Sequence, residues 1–116
     1  MNNSLYYYKA CITDVYDGDT VTAEVDLGFF VKFTEKFRLL GINTPELRGD
    51  EREEGLISRD AVREKILNKV VQIKTERDRK GKYGRFLATI YVEENGEFIN
   101  VNEWIVNSGY GVFHDY

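Results

Sequence analysis

The segment Phe37-Arg38-Leu39-Leu40-Gly41-Ile42-Asn43-Thr44-Pro45-Glu46 carries an apolar strand pattern directly into a polar turn. Pro45, the one proline of the sequence, has a fixed φ and biases Thr44 toward extended geometry. The side chains of Asn43 and Glu46 should therefore be held in a set relation at the end of a strand. A rigid group of oxygen donors suggests a functional site, although similar residues also form plain turns after strands.

Three strand patterns lead into this turn. Residues 5–15 are rich in aromatic and β-branched side chains and end at Asp17-Gly18, a tight-turn signal. In residues 20–27 apolar and polar side chains alternate, the period of two that indicates a half-buried strand. A third strand is predicted from Phe29 to Leu40. Its alternation puts Arg38 on the polar side, where it reads as one more solvent-facing base.

The second half of the sequence predicts a helix followed by two more strands. Residues 47–55 form a polar loop without periodicity, and Ser58 is expected to cap a helix that ends near Asn68. Val70 begins a β-branched run that predicts a fourth strand, and residues 86–92 predict a fifth.

A hairpin and a capped helix follow. Glu94-Asn95-Gly96 is a hairpin-turn signal. Asn100 and Glu103 have the spacing of a capping box, so a helix should begin there and end near Gly109. Trp104 falls on its apolar face, and we expect it to be a core anchor rather than a base-stacking platform.

These elements predict a mainly β protein of the α+β class with two or three helices. Three hairpin-connected strands, a helix, two further strands and a helix fit a five-stranded Greek-key barrel of the OB type. The loops and open face of such barrels commonly bind polyanions. The 116 residues suffice for one hydrophobic core, so a single domain over residues 1–116 is expected.

Composition narrows the function. A net charge of −4 argues against a protein that coats nucleic acid by bulk electrostatics. The charges are segregated, since residues 77–85 are basic and residues 46–54 acidic, although either run is also compatible with a solvated loop. With one cysteine, Cys11, and one histidine, His114, neither an internal disulfide nor a cysteine or two-histidine metal site is expected. Any metal should be bound by oxygen.

Membrane association and export are not expected. The apolar runs are a few residues long, and the N-terminal residues lack the basic flank and apolar run of a signal peptide. We therefore expect a cytoplasmic protein, or a mature form whose leader is not shown in the sequence, without a membrane partner.

Five short motifs, taken in order, resemble the signature of the staphylococcal nuclease, or thermonuclease, family. They are Asp17-Gly18-Asp19-Thr20, Phe37-Arg38-Leu39-Leu40, Thr44-Pro45-Glu46, Lys82-Tyr83-Gly84-Arg85 and Val101-Asn102-Glu103. Each motif alone is common in ordinary turns and strands. Their joint occurrence across residues 10–111 is specific.

The resemblance implies a calcium-dependent phosphodiesterase that hydrolyses DNA and RNA with little sequence preference and leaves 3′-phosphate ends. By matching position it implies calcium ligation by Asp19, Asn43 and the backbone carbonyl of Thr44. Asp17 would be a nearby carboxylate outside the ligand set. Glu46 would be the general base that activates water.

The resemblance also assigns the phosphate contacts. Arg38 and Arg85 would bind the attacked phosphate, while Lys82 and Tyr83 would contact a neighbouring one. The chemistry agrees in kind, because calcium takes carboxylate, amide and carbonyl oxygens and a guanidinium matches two phosphate oxygens. With no histidine in this part of the sequence, Glu46 is the plausible base.

Two departures from the family pattern leave a second hypothesis open. Active members commonly have aspartate where this chain has Asn43, so one ligand keeps its oxygen but loses its charge. The family's nucleotide-stacking tyrosines have only loose counterparts in Tyr110 and Tyr116. The chain is thus either an active nuclease, expected to be monomeric, or a catalytically silent barrel that binds nucleic acid or protein.

Overall fold

The chain folds into a closed β-barrel with two helices, described for residues 5–77 and 86–114 in a computed structural model. The strands are β1 Tyr7–Asp17, β2 Thr20–Asp26, β3 Lys32–Leu39, β4 Ile42–Asn43, β5 Val70–Arg77, β6 Phe86–Glu94, β7 Glu97–Asn100 and β8 Val112–Phe113. The helices are α1, Arg52–Ile66, and α2, Val101–Asn107, and a 3₁₀ turn, Gly49–Glu51, precedes α1.

The barrel is closed by a pairing between strands far apart in sequence. The strand order is β3-β2-β1-β5-β6-β7, and β3 also pairs in parallel with β6. The strands β1, β2, β3, β5 and β6 therefore form a five-stranded barrel, with β7 attached to β6 and β4 paired separately with β8. The predicted mainly β, OB-type fold is confirmed.

Alternation in β2 gives the barrel its inner surface. Val21, Ala23 and Val25 are at most 2% exposed, while the polar residues between them are half-buried on the outer side. Val62 of α1 and Ile105 of α2 are fully buried in the same core. Burial of apolar side chains is the main stabilising term of such a fold, which explains why the period of two predicted this strand.

Three local predictions are confirmed. β1 ends at Asp17 and β2 begins at Thr20, so the tight turn lies where expected. Asn95 and Gly96 both have positive φ between β6 and β7, the geometry of a tight hairpin turn. Asn100 Oδ1 accepts the Glu103 backbone N–H at 3.1 Å, which caps α2.

The first helix differs from its prediction. It begins at Arg52, six residues before Ser58, and ends at Ile66, so much of the predicted polar loop is helical. Ser58 lies buried inside the helix, where its hydroxyl donates to the backbone carbonyl of Tyr110 at 2.6 Å. That long-range bond, rather than a capping role, accounts for a serine at this position. Neither α1 nor α2 combines the length and apolar character needed to cross a bilayer.

The third strand is shorter than predicted, and three short strands were not predicted. β3 begins at Lys32, because Phe29 and Phe30 lie in the turn with positive φ. The additional strands β4, β7 and β8 have two to four residues each, too few for a sequence period to be recognised.

Asn102 joins the second helix to the barrel wall. Its Nδ2 donates to the carbonyl oxygens of Leu40 at 2.9 Å and Ala88 at 3.0 Å, and its Oδ1 accepts the Ile90 N–H at 3.2 Å. The residue is 4% exposed, so these bonds satisfy the polar atoms of its buried amide and add a second donor to the Ala88 carbonyl oxygen, which also accepts the Leu40 N–H. Because Leu40 directly follows β3, Asn102 also fixes the chain as it leaves the barrel for the Asn43 turn.

Candidate active site

One end of the barrel opens into a cavity of about 690 Å³. It lies where the β1–β2 turn, the end of β3 and the chain after β4 meet. Seven of the residues singled out from the sequence line it: Asp17, Asp19, Arg38, Asn43, Thr44, Glu46 and Tyr110. The acidic turn and the Asn-Thr-Pro-Glu segment, separate in sequence, therefore share one space.

The Arg38 guanidinium lies at the centre of this group. Its Nη1 is 3.1 Å from Asp19 Oδ2, and its Nη2 donates a hydrogen bond to Asn43 Oδ1. The side chains of Arg38 and Asp19 are only 13% and 11% exposed, so the ion pair is largely shielded from water. Arg38 is thus not the solvent-facing base that its strand parity alone indicated.

The Asp19 carboxylate is also held by the backbone. Oδ2 accepts the Thr44 N–H at 2.9 Å, and Oδ1 accepts the Thr20 hydroxyl at 3.3 Å. In addition, the Asp19 carbonyl oxygen accepts the Leu39 N–H at 2.8 Å. These bonds fix Asp19 relative to both β3 and the segment after β4.

Asp17 is a second carboxyl next to Asp19. Its Oδ1 accepts the Asp19 backbone N–H at 3.0 Å. Burial, followed by the hydrogen-bonded and negatively charged Asp19 side chain, raises the pKa of Asp17 from 3.8 to about 6. Two acids this close resist simultaneous ionisation, and added positive charge would relieve their repulsion.

Glycines allow Thr44 to pack between two loops. A Cβ built on Gly18 would lie 2.7 Å from Thr44 Cγ2, and one built on Gly111 would lie 2.7 Å from the Asn43 carbonyl oxygen and 3.1 Å from Thr44 Cγ2. Side chains at either glycine would therefore push these segments apart. Within the described part of the chain, the buried hydroxyl of Thr44 has no hydrogen-bond partner.

Glu46 is positioned through its backbone. Its N–H donates to Glu51 Oε1 at 3.1 Å, and its carbonyl lies against Gly55 of α1. The start of α1 thereby sets where the chain carrying Glu46 runs. Glu51 of the 3₁₀ turn and Glu54 of α1 line the same cavity, so its outer rim is acidic.

The oxygen atoms that line the cavity suit a hard cation that does not require several charged ligands. Within residues 5–77 and 86–114 there is no group of three or more histidine, cysteine, aspartate or glutamate side chains that could hold a metal ion. Asp19 and Asn43 nevertheless already bind one cationic group, the Arg38 guanidinium. A metal ion here would be held by one carboxylate plus neutral amide, carbonyl and water oxygens, a set that calcium accepts.

The C-terminal segment contributes a wall that the sequence did not reveal. Gly109, Tyr110, Gly111 and Val112 line the cavity, held there by the Ser58–Tyr110 bond and by the pairing of β8 with β4. The two glycines around Tyr110 were the available signal. Tyr110 also packs against Trp104, with ring centroids 5.6 Å apart. Trp104 is half-buried against the core, as predicted, with Lys65 Nζ 4.6 Å from its ring centroid.

Four predicted residues lie outside the described part of the chain. They are Lys82, Tyr83 and Arg85 of the basic segment, and Tyr116 at the C-terminus. Their predicted contacts with phosphate or base remain predictions.

Comparison with known proteins agrees with this fold. Residues 36–116 match the sequence profile of the family described as staphylococcal nuclease homologue. Because the match covers well over half of the sequence, the chain belongs to that family. It is also similar to the uncharacterized protein MJ1439 of Methanocaldococcus jannaschii, with 30% identity across 90% of this chain. The match spans only 58% of that relative's length.

Proposed function

We propose that the protein is a calcium-dependent phosphodiesterase that hydrolyses DNA and RNA with little sequence preference, acting as a monomer. One observation carries the proposal: Arg38 contacts both Asp19 and Asn43 in a cavity that Glu46 also lines. Membership of a nuclease-type family supports the same class of activity.

The proposed task of Arg38 is to bind the attacked phosphate. A phosphodiester gains charge on its oxygens as a nucleophile adds, and stabilising that charge is the main catalytic requirement. A guanidinium donates two parallel hydrogen bonds to two such oxygens. The contacts of Arg38 with Asp19 and Asn43 support this role, because they fix the orientation of the guanidinium before substrate arrives. Arg85 is proposed as a second donor.

Glu46 is the proposed general base. It takes a proton from water while the water oxygen forms a bond to phosphorus and the ester oxygen leaves. The rigid backbone around Glu46 supports this assignment, because a base must be held within hydrogen-bonding reach of the water.

Asp19, Asn43 and the Thr44 carbonyl are the proposed calcium ligands. When bound, the ion supplies positive charge that stabilises the phosphate and lowers the pKa of a ligated water. The site's single charged ligand predicts weak calcium binding, since affinity falls as fewer carboxylates contribute. Asp17 is proposed to support Asp19 from outside the ligand set.

The test is cleavage of denatured DNA and RNA during a calcium titration, comparing the parent with Glu46→Gln. Glu53→Gln is the matched control, because Glu53 is an exposed carboxylate on α1 that does not line the cavity. We expect chelation to stop cleavage and Glu46→Gln to lower the rate by about a hundredfold or more, while the control behaves as the parent. Equal rates in parent and Glu46→Gln would show that Glu46 is not the base.

A second candidate is a silent barrel that binds nucleic acid without cutting it. The observation that favours it is Asn43, which makes the ligand set poor in charge and engages Arg38 through a neutral oxygen. The discriminating variant is Asn43→Asp, with Asn95→Asp as a control that adds the same charge in the remote β6–β7 turn. For the enzyme, Asn43→Asp should lower the calcium concentration at half-maximal rate by about tenfold. Retention of nucleic acid with no new ends, in parent and variant alike, would favour the silent barrel.

A further inference from the structure

Two exposed phenylalanines form the tip of the hairpin between β2 and β3. Phe29 is 96% exposed and Phe30 is as exposed as in an extended chain. Both have positive φ, 54° and 64°, and follow Gly28 at 82°. Left-handed backbone is unfavourable for residues with a Cβ, and Gly or Asn would avoid that cost. The hairpin thus holds two aromatic rings in solvent by means of an unfavourable backbone geometry.

The tip is large for an exposed apolar surface. Leu27, Val31 and Phe33 next to the two rings are also at least 40% exposed. At about 150–250 Å² per aromatic ring, the two phenylalanines alone approach the largest patch of a typical monomer, about 300–600 Å². Patches of that size commonly mark binding surfaces.

The outer face of β3 connects this tip to the cavity. Lys32, Thr34 and Lys36 alternate on that face and lead to Arg38, which lines the cavity. The six residue steps from Lys32 to Arg38 span about 20 Å at about 3.3 Å each. A single strand held by one OB fold typically contacts it through about 4–16 nucleotides, enough to cover this length.

Cationic and aromatic groups alternate along this path. Near the cavity, Lys36 Nζ lies 6.0 Å from the ring centroid of Tyr16, which is 59% exposed. Across the strand pair, Lys36 faces the uncharged Thr22. The acids of β2 on this face lie farther out, where Glu24 faces Thr34 and Asp26 pairs with Lys32 at 3.7 Å. Positive charge is therefore available beside the cavity, and aromatic surface dominates at the tip.

We propose that the outer face of the β2–β3 hairpin, together with Tyr16 at the end of the adjoining strand β1, binds the single-stranded nucleic acid that extends from the cavity. Lys36 contacts a phosphate, and unpaired bases stack on Tyr16, Phe29 and Phe30. The proposal rests on the proposed action on nucleic acid and specifies its substrate class, a single or denatured strand several nucleotides long. Stacking suits a sequence-tolerant enzyme, because every base has an aromatic face.

The test measures binding of a fluorescent oligothymidylate of about 12 nucleotides by anisotropy, with chelator present so that no cleavage occurs. The double variant Phe29→Asn, Phe30→Asn removes both rings while suiting the left-handed backbone, so its thermal midpoint should not fall. We expect its affinity to drop about tenfold or more. Phe98→Ser, which removes an exposed ring from β7, is the matched control and should bind as the parent does.

Further variants separate stacking from general apolarity and from charge. Phe29→Leu, Phe30→Leu should bind as weakly as the asparagine variant, whereas Phe29→Tyr, Phe30→Tyr should bind as the parent does. Lys36→Gln should reduce the slope of log affinity against log salt by about 0.7. Parent-like oligonucleotide binding by the leucine variant would overturn stacking.

Two other binding partners of the hairpin, a membrane surface and a second copy of the chain, would each give a different result. Ring-dependent sedimentation with phosphatidylcholine vesicles, or ring-dependent dimerisation, without a change in oligonucleotide affinity would also overturn the proposal.

Cleavage of a substrate of about three nucleotides, too short to reach the tip, reports on the proposed chemistry alone. If that substrate is cleaved normally and the asparagine variant binds the oligonucleotide as the parent does, the proposed role of the hairpin is refuted and the proposed nuclease activity is not. If no cleavage is found but oligonucleotide binding still depends on the two rings, the proposed nuclease activity is refuted and the role of the hairpin is not.

Discussion

Gly55 and Glu46 are in direct backbone contact, since a Cβ built on Gly55 would lie 2.3 Å from the Glu46 carbonyl oxygen. The next nearest atoms, the Glu46 carbonyl carbon and the Pro45 carbonyl oxygen, also belong to the backbone. A change of side-chain rotamer could therefore not relieve the clash. The first turns of α1 therefore act as a support for the segment that carries the proposed base.

Replacing Gly55 with alanine should displace Glu46 and lower stability. Overpacking costs about 1–3 kcal/mol, and the better helix propensity of alanine offsets about 1 kcal/mol of it. We expect the free energy of unfolding, measured in urea, to fall by up to about 2 kcal/mol, and kcat to fall more than affinity for substrate.

The matched control for this prediction is Ile57→Ala, an exposed position on the same helix. Its stability and kcat should stay close to those of the parent. An alanine variant of Gly55 with unchanged kcat would show that the backbone contact does not position Glu46.

The carboxyl group of Asp17 should make stability fall as pH rises. Its pKa is about 6 in the fold against 3.8 ordinarily, so between these values the folded state binds the proton more tightly than the unfolded state does. Asp17→Asn keeps the oxygen that accepts the Asp19 N–H and removes the ionisation. Because solvent screens this half-buried group, the substitution should raise the free energy of unfolding by only about 1 kcal/mol above pH 6. The increase should vanish below about pH 4.

Urea unfolding in the presence of chelator, at several pH values across that range, measures the effect. Asp14→Asn provides the comparison, because Asp14 is an exposed carboxylate on the same strand. If Asp17→Asn and Asp14→Asn changed stability in parallel at every pH, the raised pKa of Asp17 would be refuted.

Asn102 should be among the most sensitive positions outside the cavity. Asn102→Ala removes the Asn102 partner of the Leu40 carbonyl oxygen and the Ile90 N–H, while the Ala88 carbonyl oxygen keeps only the Leu40 N–H. Losses of this kind predict a decrease of about 2–4 kcal/mol in the free energy of unfolding. Asn102→Asp should be comparably destabilised, because a carboxylate cannot donate to the carbonyls of Leu40 and Ala88.

Denaturant titrations of these variants and of Asn107→Ala give the measurement. Asn107 is exposed on the same helix, so its substitution tests for general effects of altering α2. Equal unfolding midpoints for Asn102→Ala and Asn107→Ala would show that the bonds of Asn102 to the barrel wall do not stabilise the fold.

Local signals predicted much of the barrel. The alternation in β2 and the Asn100 capping box depend on neighbours a few residues away, and both were correctly interpreted. The start of α1 was missed because Glu51 at its N-cap makes no side-chain capping bond and residues 52–54, which follow it, are exposed. Ser58 was misread because its partner, Tyr110, is distant in sequence.

The same distinction applies to the candidate site. Motif order anticipated that Asp19, Asn43 and Glu46 would line one cavity, but the Arg38 contacts that join two of them depend on side-chain packing across strands. The wall at Gly109–Val112 was missed because a two-residue pairing between β4 and β8 places it. Tertiary contacts of this kind leave almost no local trace in a sequence.

The parallel contact of Leu39 with Ala88 constrains the order of assembly on the ribosome. Strand β3 is synthesised well before β6, so its exposed edge must wait for the second half of the chain to emerge before the circle of strands can close. Contacts of such large sequence separation form slowly. A nascent chain halted before β6 would therefore carry Asp19 and Arg38 on an open, adhesive ribbon, the state most at risk of aggregation and most in need of a chaperone.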